Sequence, residues 1–128
     1  MPDNTREPAL WLAYAIEDLE YGRLGASRFP RSAAWNFQQA SEKALKAVLF
    51  AQSGSAPRTH DLAFLLQLVI AGNPSADFLV NEVMELAELS TGSRYPADLP
   101  EITQSDCRRY ESAAAEIVAW VLSEIGNS

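Results

Sequence analysis

The sequence predicts an all-α fold, an up-and-down bundle of four to five helices. Three observations support this class. Apolar residues recur three and four positions apart along several segments, short stretches rich in glycine, proline and serine separate those segments, and no stretch alternates apolar and polar residues over the length of a strand. Because the chain has 128 residues, we predict a single domain over residues 1–128, with an ordered core from about 8 to 126.

The first two predicted helices are the longest pair in the first half of the chain. The first runs from about Pro8 to Gly25, because its apolar residues recur at helical spacing. Pro30 suits a first helical turn, so the second helix is expected from about Arg31 to Gln52. The second helix has a packing seam at Phe37, Ser41, Ala44, Val48 and Ala51. Its small residues either pack in the core or form a dimer surface, at Ala40, Ala44, Ala47 and Ala51.

The next two predicted helices are shorter. A third helix is expected from about His60 to Ile70, with Thr59 as its N-cap and Asp61 in its first turn, where the helix dipole favours a carboxylate. Ser75 is expected to cap a fourth helix from about Ala76 to Ser90. We expect four apolar side chains of this helix to face the core: Phe78, Val83, Leu86 and Leu89.

The last predicted helix follows an irregular stretch over residues 91–100. Thr103 opens this helix, Asp106 completes the cap three residues later, and Gly126 ends the helix. Its inward-facing residues are expected to be Cys107, Tyr110, Ala114, Ile117 and Val121. Three tryptophans near helix ends are expected to anchor corners of the core: Trp11, Trp35 and Trp120.

Charge and composition exclude several classes of protein. A net charge of -7 and a pI near 4.6 oppose loose binding to DNA, RNA or an anionic membrane. The single cysteine, Cys107, cannot form an internal disulfide, which is usual in a reducing cytosol, and we expect it to be buried and inert. The first residues have no apolar signal core, and no run approaches the length of a transmembrane helix. We therefore predict a cytoplasmic protein without a membrane contact.

A polar stripe on the second helix is the first candidate site. Gln39, Lys43 and Lys46 lie at positions i, i+4 and i+7, so they share one helix face that is able to hold a phosphate. The alternative is an ordinary solvated face, in which Glu42 pairs with Lys46 four residues later. Both interpretations remain open at the level of the sequence.

Further candidate residues precede the third and the last helices. Arg58 and His60 lie near a predicted helix N-terminus, where free N–H groups attract anions, although His60 alternatively packs or bonds a carbonyl. Arg94 can clamp a phosphate and Tyr95 can stack on a base, or Arg94 pairs with a carboxylate and Tyr95 closes the end of the bundle. Because the chain has one histidine, we predict no metal site and no cofactor.

The order and spacing of these residues resemble the HEPN domain family over about residues 11–125. The similarity rests on Asp18-Leu19, on the stretch from Gln38 to Ala47, on Thr59 to Leu62, and on Arg94-Tyr95-Pro96. The resemblance implies a four- to five-helix bundle that is usually a homodimer. It also implies a link to nucleotides through a separately encoded nucleotidyltransferase, as in toxin–antitoxin-like pairs.

Many members of this family are metal-independent RNases, whose motif is an arginine, four to six residues and then a histidine. This chain departs from the motif, because no histidine follows Arg94, Arg108 or Arg109 and the only histidine, His60, lies upstream. The resemblance therefore favours a noncatalytic module that binds a nucleotide or a nucleotidyltransferase partner. Two alternatives stay open: an RNase toxin with a non-standard site, in which folding brings His60 near Arg94, and a pure protein-interaction module.

Overall fold

The structure, a computed structural model, describes residues 6–90 and 101–126. Within this part of the chain there are five α-helices and no strand, as the sequence predicts. The helices are α1 (Arg6–Gly25), α2 (Pro30–Ser53), α3 (Leu62–Gly72), α4 (Val80–Ala87) and α5 (Gln104–Ile125). Two 3-10 segments flank α4, at Pro74–Leu79 and Glu88–Ser90. None of these helices combines the length and the apolar character that crossing a membrane requires.

The helices α1 and α2 form the most extensive pair and run antiparallel. Near one end of the pair, Phe50 of α2 stacks on Trp11 of α1 with ring centroids 6.0 Å apart. Near the other end, Gly22 of α1 lies against Phe37 of α2, where an added Cβ would be 2.6 Å from the Phe37 Cε1 atom. The missing side chain of Gly22 is therefore what allows this close approach.

The central helix is α2, because it packs against α1, α3 and α5. Its small residues belong to the core, since Ala40, Ala44 and Ala47 are fully buried inside the bundle. Ala51 is exposed, so its predicted place on the packing seam is wrong. A strict seven-residue repeat drifts by about 20° per heptad on a straight helix, and two heptads separate Ala51 from Phe37.

The helix α3 begins two residues later than predicted. Asp61, rather than Thr59, is its N-cap: the Asp61 Oδ1 atom accepts the backbone N–H of Phe64 at 3.1 Å. The Thr59 hydroxyl oxygen instead accepts the backbone N–H of Asp61 at 3.2 Å. His60 consequently lies in the loop that precedes α3 and is not part of the helix.

The predicted fourth helix is divided. Pro74–Leu79 is a 3-10 segment, and only Val80–Ala87 is α-helical. Asn73 is the capping residue in place of Ser75, since its Oδ1 atom accepts both the backbone N–H of Ser75 at 3.2 Å and the Ser75 hydroxyl at 2.6 Å. A short polar side chain before a proline favours such a local turn, so this segment begins two residues earlier than the predicted helix.

The 3-10 geometry also changes which side chains point inward. With three residues per turn, positions i and i+3 lie above one another, and Ala76 and Leu79 form the buried pair. Phe78 is 54% exposed, so the prediction that it faces the core is wrong. Its ring contacts Trp120 of α5 in a T-shaped arrangement. The other three predicted inward residues do pack in or against the core: Val83, Leu86 and Leu89.

The helix α5 begins as predicted. The Thr103 hydroxyl oxygen accepts the backbone N–H of Asp106, and the Asp106 carboxylate accepts the backbone N–H of Thr103, both at 3.0 Å. This reciprocal capping box satisfies two N–H groups that the first turn leaves open. The predicted inward residues are all buried: Cys107, Tyr110, Ala114, Ile117 and Val121. Burial raises the pKa of the Cys107 thiol, as expected for an unreactive cysteine.

Two of the three tryptophans lie against the core, and the third does not. Trp11 and Trp120 are half-buried. Trp35 is 59% exposed, so the prediction that it anchors a corner of the core is wrong. Ala33 and Ala34 are the buried residues at this turn of α2, and they place the neighbouring Trp35 on the outer side of the helix.

Candidate functional site

A buried carboxylate on α2 organises the candidate site. Glu42 is almost completely buried, and its Oε2 atom accepts a hydrogen bond from Lys46 Nζ at 3.0 Å. His60 Nδ1 lies 2.9 Å from Glu42 Oε1 and 3.1 Å from Oε2. Two residues predicted for the site, Lys46 and His60, therefore converge, and they converge on an acid of the same chain.

The side chain of Lys46 is enclosed by partners. Only 8% of this side chain is exposed. Its ammonium lies 5.5 Å from the centroid of the Trp11 ring, a position in which the ring face attracts a cation. The Trp11 indole N–H donates to Glu7 at 3.1 Å, and its ring stacks on Phe50. The charge of Lys46 is thus compensated within the bundle, as a buried charge requires.

The imidazole of His60 is the solvent-exposed member of this group. Its side chain is 83% exposed, whereas that of Glu42 is 5% exposed. The Glu42 carboxylate favours the tautomer that has its proton on Nδ1, which leaves Nε2 as a hydrogen-bond acceptor. The arrangement can hold an imidazole in a fixed orientation and present Nε2 to a proton donor. It can also serve only to tie the loop before α3 to α2.

The other predicted residues of α2 are not part of this group. Lys43 donates to Asp18 Oδ2 of α1 at 2.6 Å, which ties α1 to α2. Gln39 lies half-buried one turn before Lys43. The three residues share a side of α2 as predicted, but the two lysines pair with different acids. A phosphate on this stripe would have to displace Asp18 or approach Glu42.

The remaining predicted residues lie in connecting segments. Arg58 is exposed in the loop between α2 and α3, two positions before His60. Arg94 and Tyr95 lie outside the described residues, so the structure does not bear on their part in the predicted site.

The central position of Glu42 in this group is not predicted from the sequence. The sequence predicts Glu42 only as the partner of Lys46 in a surface ion pair, and the i, i+4 pairing is present. The available signal was composition, because Glu42 stands in a stretch of small and apolar residues whose neighbours Ala40, Ala44 and Leu45 are fully buried. A charge in such a stretch is expected to need more than one partner.

A second charged region lies between α4 and α5, in a groove of about 280 Å³. Arg109 of α5 pairs with Glu85 of α4 and, at 2.8 Å, with Asp106. Beside them, Glu82 and Glu116 face each other. A hydrogen bond to Glu82 and the negative charge of Glu82 raise the pKa of Glu116. Acids outnumber bases here, in contrast to the group around Glu42.

The outward side of α1 has an apolar surface. Four large apolar side chains are exposed there, and Leu24 has the greatest exposure at 85%. We call these residues the outer stripe: Leu10, Tyr14, Tyr21 and Leu24. Their spacings of four, seven and three residues keep them on one side of the helix. The spacing of apolar residues predicts the inward stripe of this helix, and the outer stripe is a finding of the structure.

The comparisons with known proteins agree with the fold. The model of the HEPN domain family matches residues 9–125. The crystal structure of ST0689, described as an archaeal HEPN homologue, matches with a TM-score of 0.74 and 29% sequence identity, over 93% of this chain and 98% of that chain. No curated protein gives a significant match. Since the family model spans nearly all of the sequence and the solved homologue shares the fold, the chain belongs to the HEPN domain family.

Proposed function

We propose that this HEPN domain is a noncatalytic helical module that binds a separately encoded nucleotidyltransferase, as one member of a toxin–antitoxin-like pair. The observation that supports the proposal most is the outer stripe of α1, where four large apolar side chains are exposed along one helix. Groups of exposed large apolar side chains are uncommon on soluble monomers and often mark a contact with another protein.

The ion pairs favour a protein partner over a free nucleotide. Lys43 is paired with Asp18, and both Lys46 and His60 are paired with Glu42. A phosphate at this place would compete with two carboxylates, and the negative charge of the chain would oppose it. We expect these residues to hold the helices together while the partner binds elsewhere.

The proposal includes the case in which the partner brings a bound nucleotide to this chain. Arg58 and the exposed ring of His60 lie in the loop before α3, and Gln39, Arg94 and Tyr95 complete the predicted set. In this form of the proposal these side chains contact the nucleotide only after the partner has brought it.

Co-expression tests the proposal. A nucleotidyltransferase whose reading frame adjoins the gene for this chain is expected to copurify with the tagged wild type. We expect the Leu24→Asp variant to recover much less of that nucleotidyltransferase. Trp35→Asp, which changes an exposed apolar side chain outside the outer stripe, is the matched control and should leave recovery unchanged. If Leu24→Asp recovered as much nucleotidyltransferase as the wild type does, the outer stripe would not be the contact surface for the partner.

Calorimetry separates the nucleotide from the protein partner. We expect ATP, GTP and a short RNA to give no saturable heat with the chain alone, even at millimolar concentrations. Saturable binding of ATP that Arg58→Ala and His60→Ala both remove would show that the chain binds free nucleotides through the loop before α3.

A homodimer is part of the proposal. The alanines of α2 are buried in the bundle, so the dimer would use another surface. A candidate surface has the exposed apolar side chains Phe78, Val80 and Met84 near α4 and Leu122 on α5. Sedimentation equilibrium is expected to give twice the monomer mass for the wild type and a lower mass for Met84→Glu. A wild type that sediments as a monomer at high concentration would refute this part of the proposal.

The pairing of Glu42 with His60 supports a second candidate function, a metal-independent RNase with a non-standard site. A carboxylate that orients an imidazole, with Nε2 open to solvent, can accept the proton of a ribose 2′-hydroxyl. Arg94 would stabilise the phosphate in this mechanism. RNA cleavage that His60→Ala abolishes would favour this function, and cleavage that persists in His60→Ala would exclude it.

A further inference from the structure

The helix α1 is apolar on two opposite sides. Its inward side is buried against the bundle, at Pro8, Leu12, Ala15, Leu19 and Gly22. Its outward side holds the outer stripe, which Glu17 completes, so that exposed residues follow one another at spacings of four, three, four and three from Leu10 to Leu24. This spacing is the one by which a helix packs along a second helix. A helix that is apolar on both sides is normally covered on both.

The middle of the outer stripe is acidic. Glu17 lies within the stripe and Glu20 lies beside it, and both are exposed. The next cation along the helix, Arg23, donates to Glu111 of α5 at 2.9 Å and so has an acid of its own. Arg6 lies at the other end of the helix. The two glutamates therefore leave a negative charge at the centre of an apolar surface.

This charge decides between a second copy of the chain and a different protein. If α1 packed on α1 of a second copy around the middle of the stripe, Glu17 would face Glu17 in a parallel or an antiparallel arrangement. Like charges at such a contact are unfavourable. A partner with cations at this position gains attraction where a second copy meets repulsion.

We propose that the outer stripe of α1 docks an amphipathic helix of a partner protein, with apolar residues at alternating spacings of four and three and with lysine or arginine opposite Glu17 and Glu20. From Leu10 to Leu24 the surface is about 21 Å long, which corresponds to roughly four helical turns of the partner. This inference rests on the proposed function, because it names the element by which the nucleotidyltransferase would bind.

Two synthetic peptides test the inference by fluorescence anisotropy. Both are amphipathic helices of about 18 residues with the same leucine face; one has lysines beside that face and the other has glutamates. The wild type is expected to bind the lysine peptide more tightly by about tenfold or more. The double variant Glu17→Lys/Glu20→Lys is expected to reverse this preference.

A matched double variant separates local charge from net charge. Glu101→Lys/Glu124→Lys changes two exposed acids outside α1 and alters the net charge by the same amount. We expect it to keep the preference for the lysine peptide. If it reversed the preference as fully as the α1 variant does, or if the α1 variant left the preference unchanged, the inference would be overturned.

Sedimentation equilibrium of the wild type and of Leu24→Asp tests whether a second copy of the chain covers the outer stripe instead. If the wild type were a dimer that Leu24→Asp dissociates, a second copy would cover the outer stripe, and the inference would be wrong. Failure of the inference differs from failure of the proposed function: a nucleotidyltransferase that still copurifies with Glu17→Lys/Glu20→Lys overturns only the inference. Selective binding of the lysine peptide without copurification of any nucleotidyltransferase overturns only the proposed function.

Discussion

The group around Glu42 and the groove between α4 and α5 differ in their balance of acidic and basic side chains. In the first, one buried acid has two basic partners, Lys46 and His60. In the second, Arg109 is shared by Glu85 and Asp106, and the neighbouring pair of Glu82 and Glu116 has no base in the described contacts.

The comparison indicates which region stabilises the fold and which region changes its protonation with pH. Charges that are buried and balanced, as at Glu42, hold elements in one arrangement, because either partner alone would be costly to bury. Charges that are exposed and of one sign, as at Glu116, change their protonation with pH at little structural cost. The arrangement of the helices would then depend on the first region, and the change of stability with pH on the second.

The largest expected effect comes from breaking the buried group. Glu42→Gln leaves the Lys46 ammonium in the interior without its carboxylate, and we expect a loss of about 3–5 kcal/mol in the free energy of unfolding. Urea denaturation followed by circular dichroism measures it. The double variant Glu42→Leu/Lys46→Met removes both charges and should cost clearly less. A double variant less stable than Glu42→Gln would contradict this explanation.

The next effect is at the close contact of α1 and α2. Gly22→Ala would place a Cβ 2.6 Å from the Phe37 ring, so we expect a loss of roughly 1–3 kcal/mol from overpacking. Gly25→Ala is the matched control, because nothing lies within 4 Å of a Cβ at that position. Thermal unfolding of the two variants should differ, and equal melting temperatures would show that α1 and α2 are not packed as described.

A smaller effect is expected at the partly exposed ion pair between the same helices. Lys43→Met removes the ion pair with Asp18, whose side chain is partly exposed, and should cost about 1 kcal/mol or less. The loss should shrink further in the presence of high salt, because salt screens such a pair. A loss as large as that of Glu42→Gln would show that Lys43, rather than Glu42, is the main ionic link in this half of the molecule.

The smallest effect concerns Glu116 and depends on pH. Glu82 raises the pKa of Glu116 above the ordinary value of 4.5. At a pH between the ordinary and the raised pKa, the folded state therefore holds a proton that the unfolded state has released. The stabilisation from this proton is complete below the ordinary pKa and is lost as pH rises through the raised pKa. The melting temperature of Glu116→Gln should therefore rise relative to that of the wild type as pH increases from the ordinary pKa of 4.5 through the raised pKa. Glu124→Gln, which replaces another exposed acid of α5, is the control.

Local signals in the sequence predicted the helices better than the site. Thr103 and Asp106 predict the start of α5 because both halves of the capping box lie within four residues. At α3, Thr59 and Asp61 are both suitable caps, and the sequence does not decide between them. The predicted start of the fourth helix is wrong because the same capping and turn residues begin both 3-10 segments and α-helices. The sequence therefore does not distinguish the two.

The site depends on contacts between distant positions. The spacing of Glu42 and Lys46 was visible, but His60 is 18 residues away from Glu42, and no periodicity connects the two. Burial of a charged residue depends on what the other helices place over it, which one sequence does not report. The outer stripe was present in the sequence as a second helical pattern, and its exposure became evident only once the inward side of α1 was known.

The central claim is that the outer stripe of α1, and not the charged group around Glu42, is the contact surface for the partner. Hydrogen–deuterium exchange of the chain, with and without a copurified nucleotidyltransferase, tests it most directly. We predict slower exchange within Arg6–Gly25 in the complex and little change in the loop at 54–61. Slower exchange confined to that loop, with α1 unchanged, would contradict the claim.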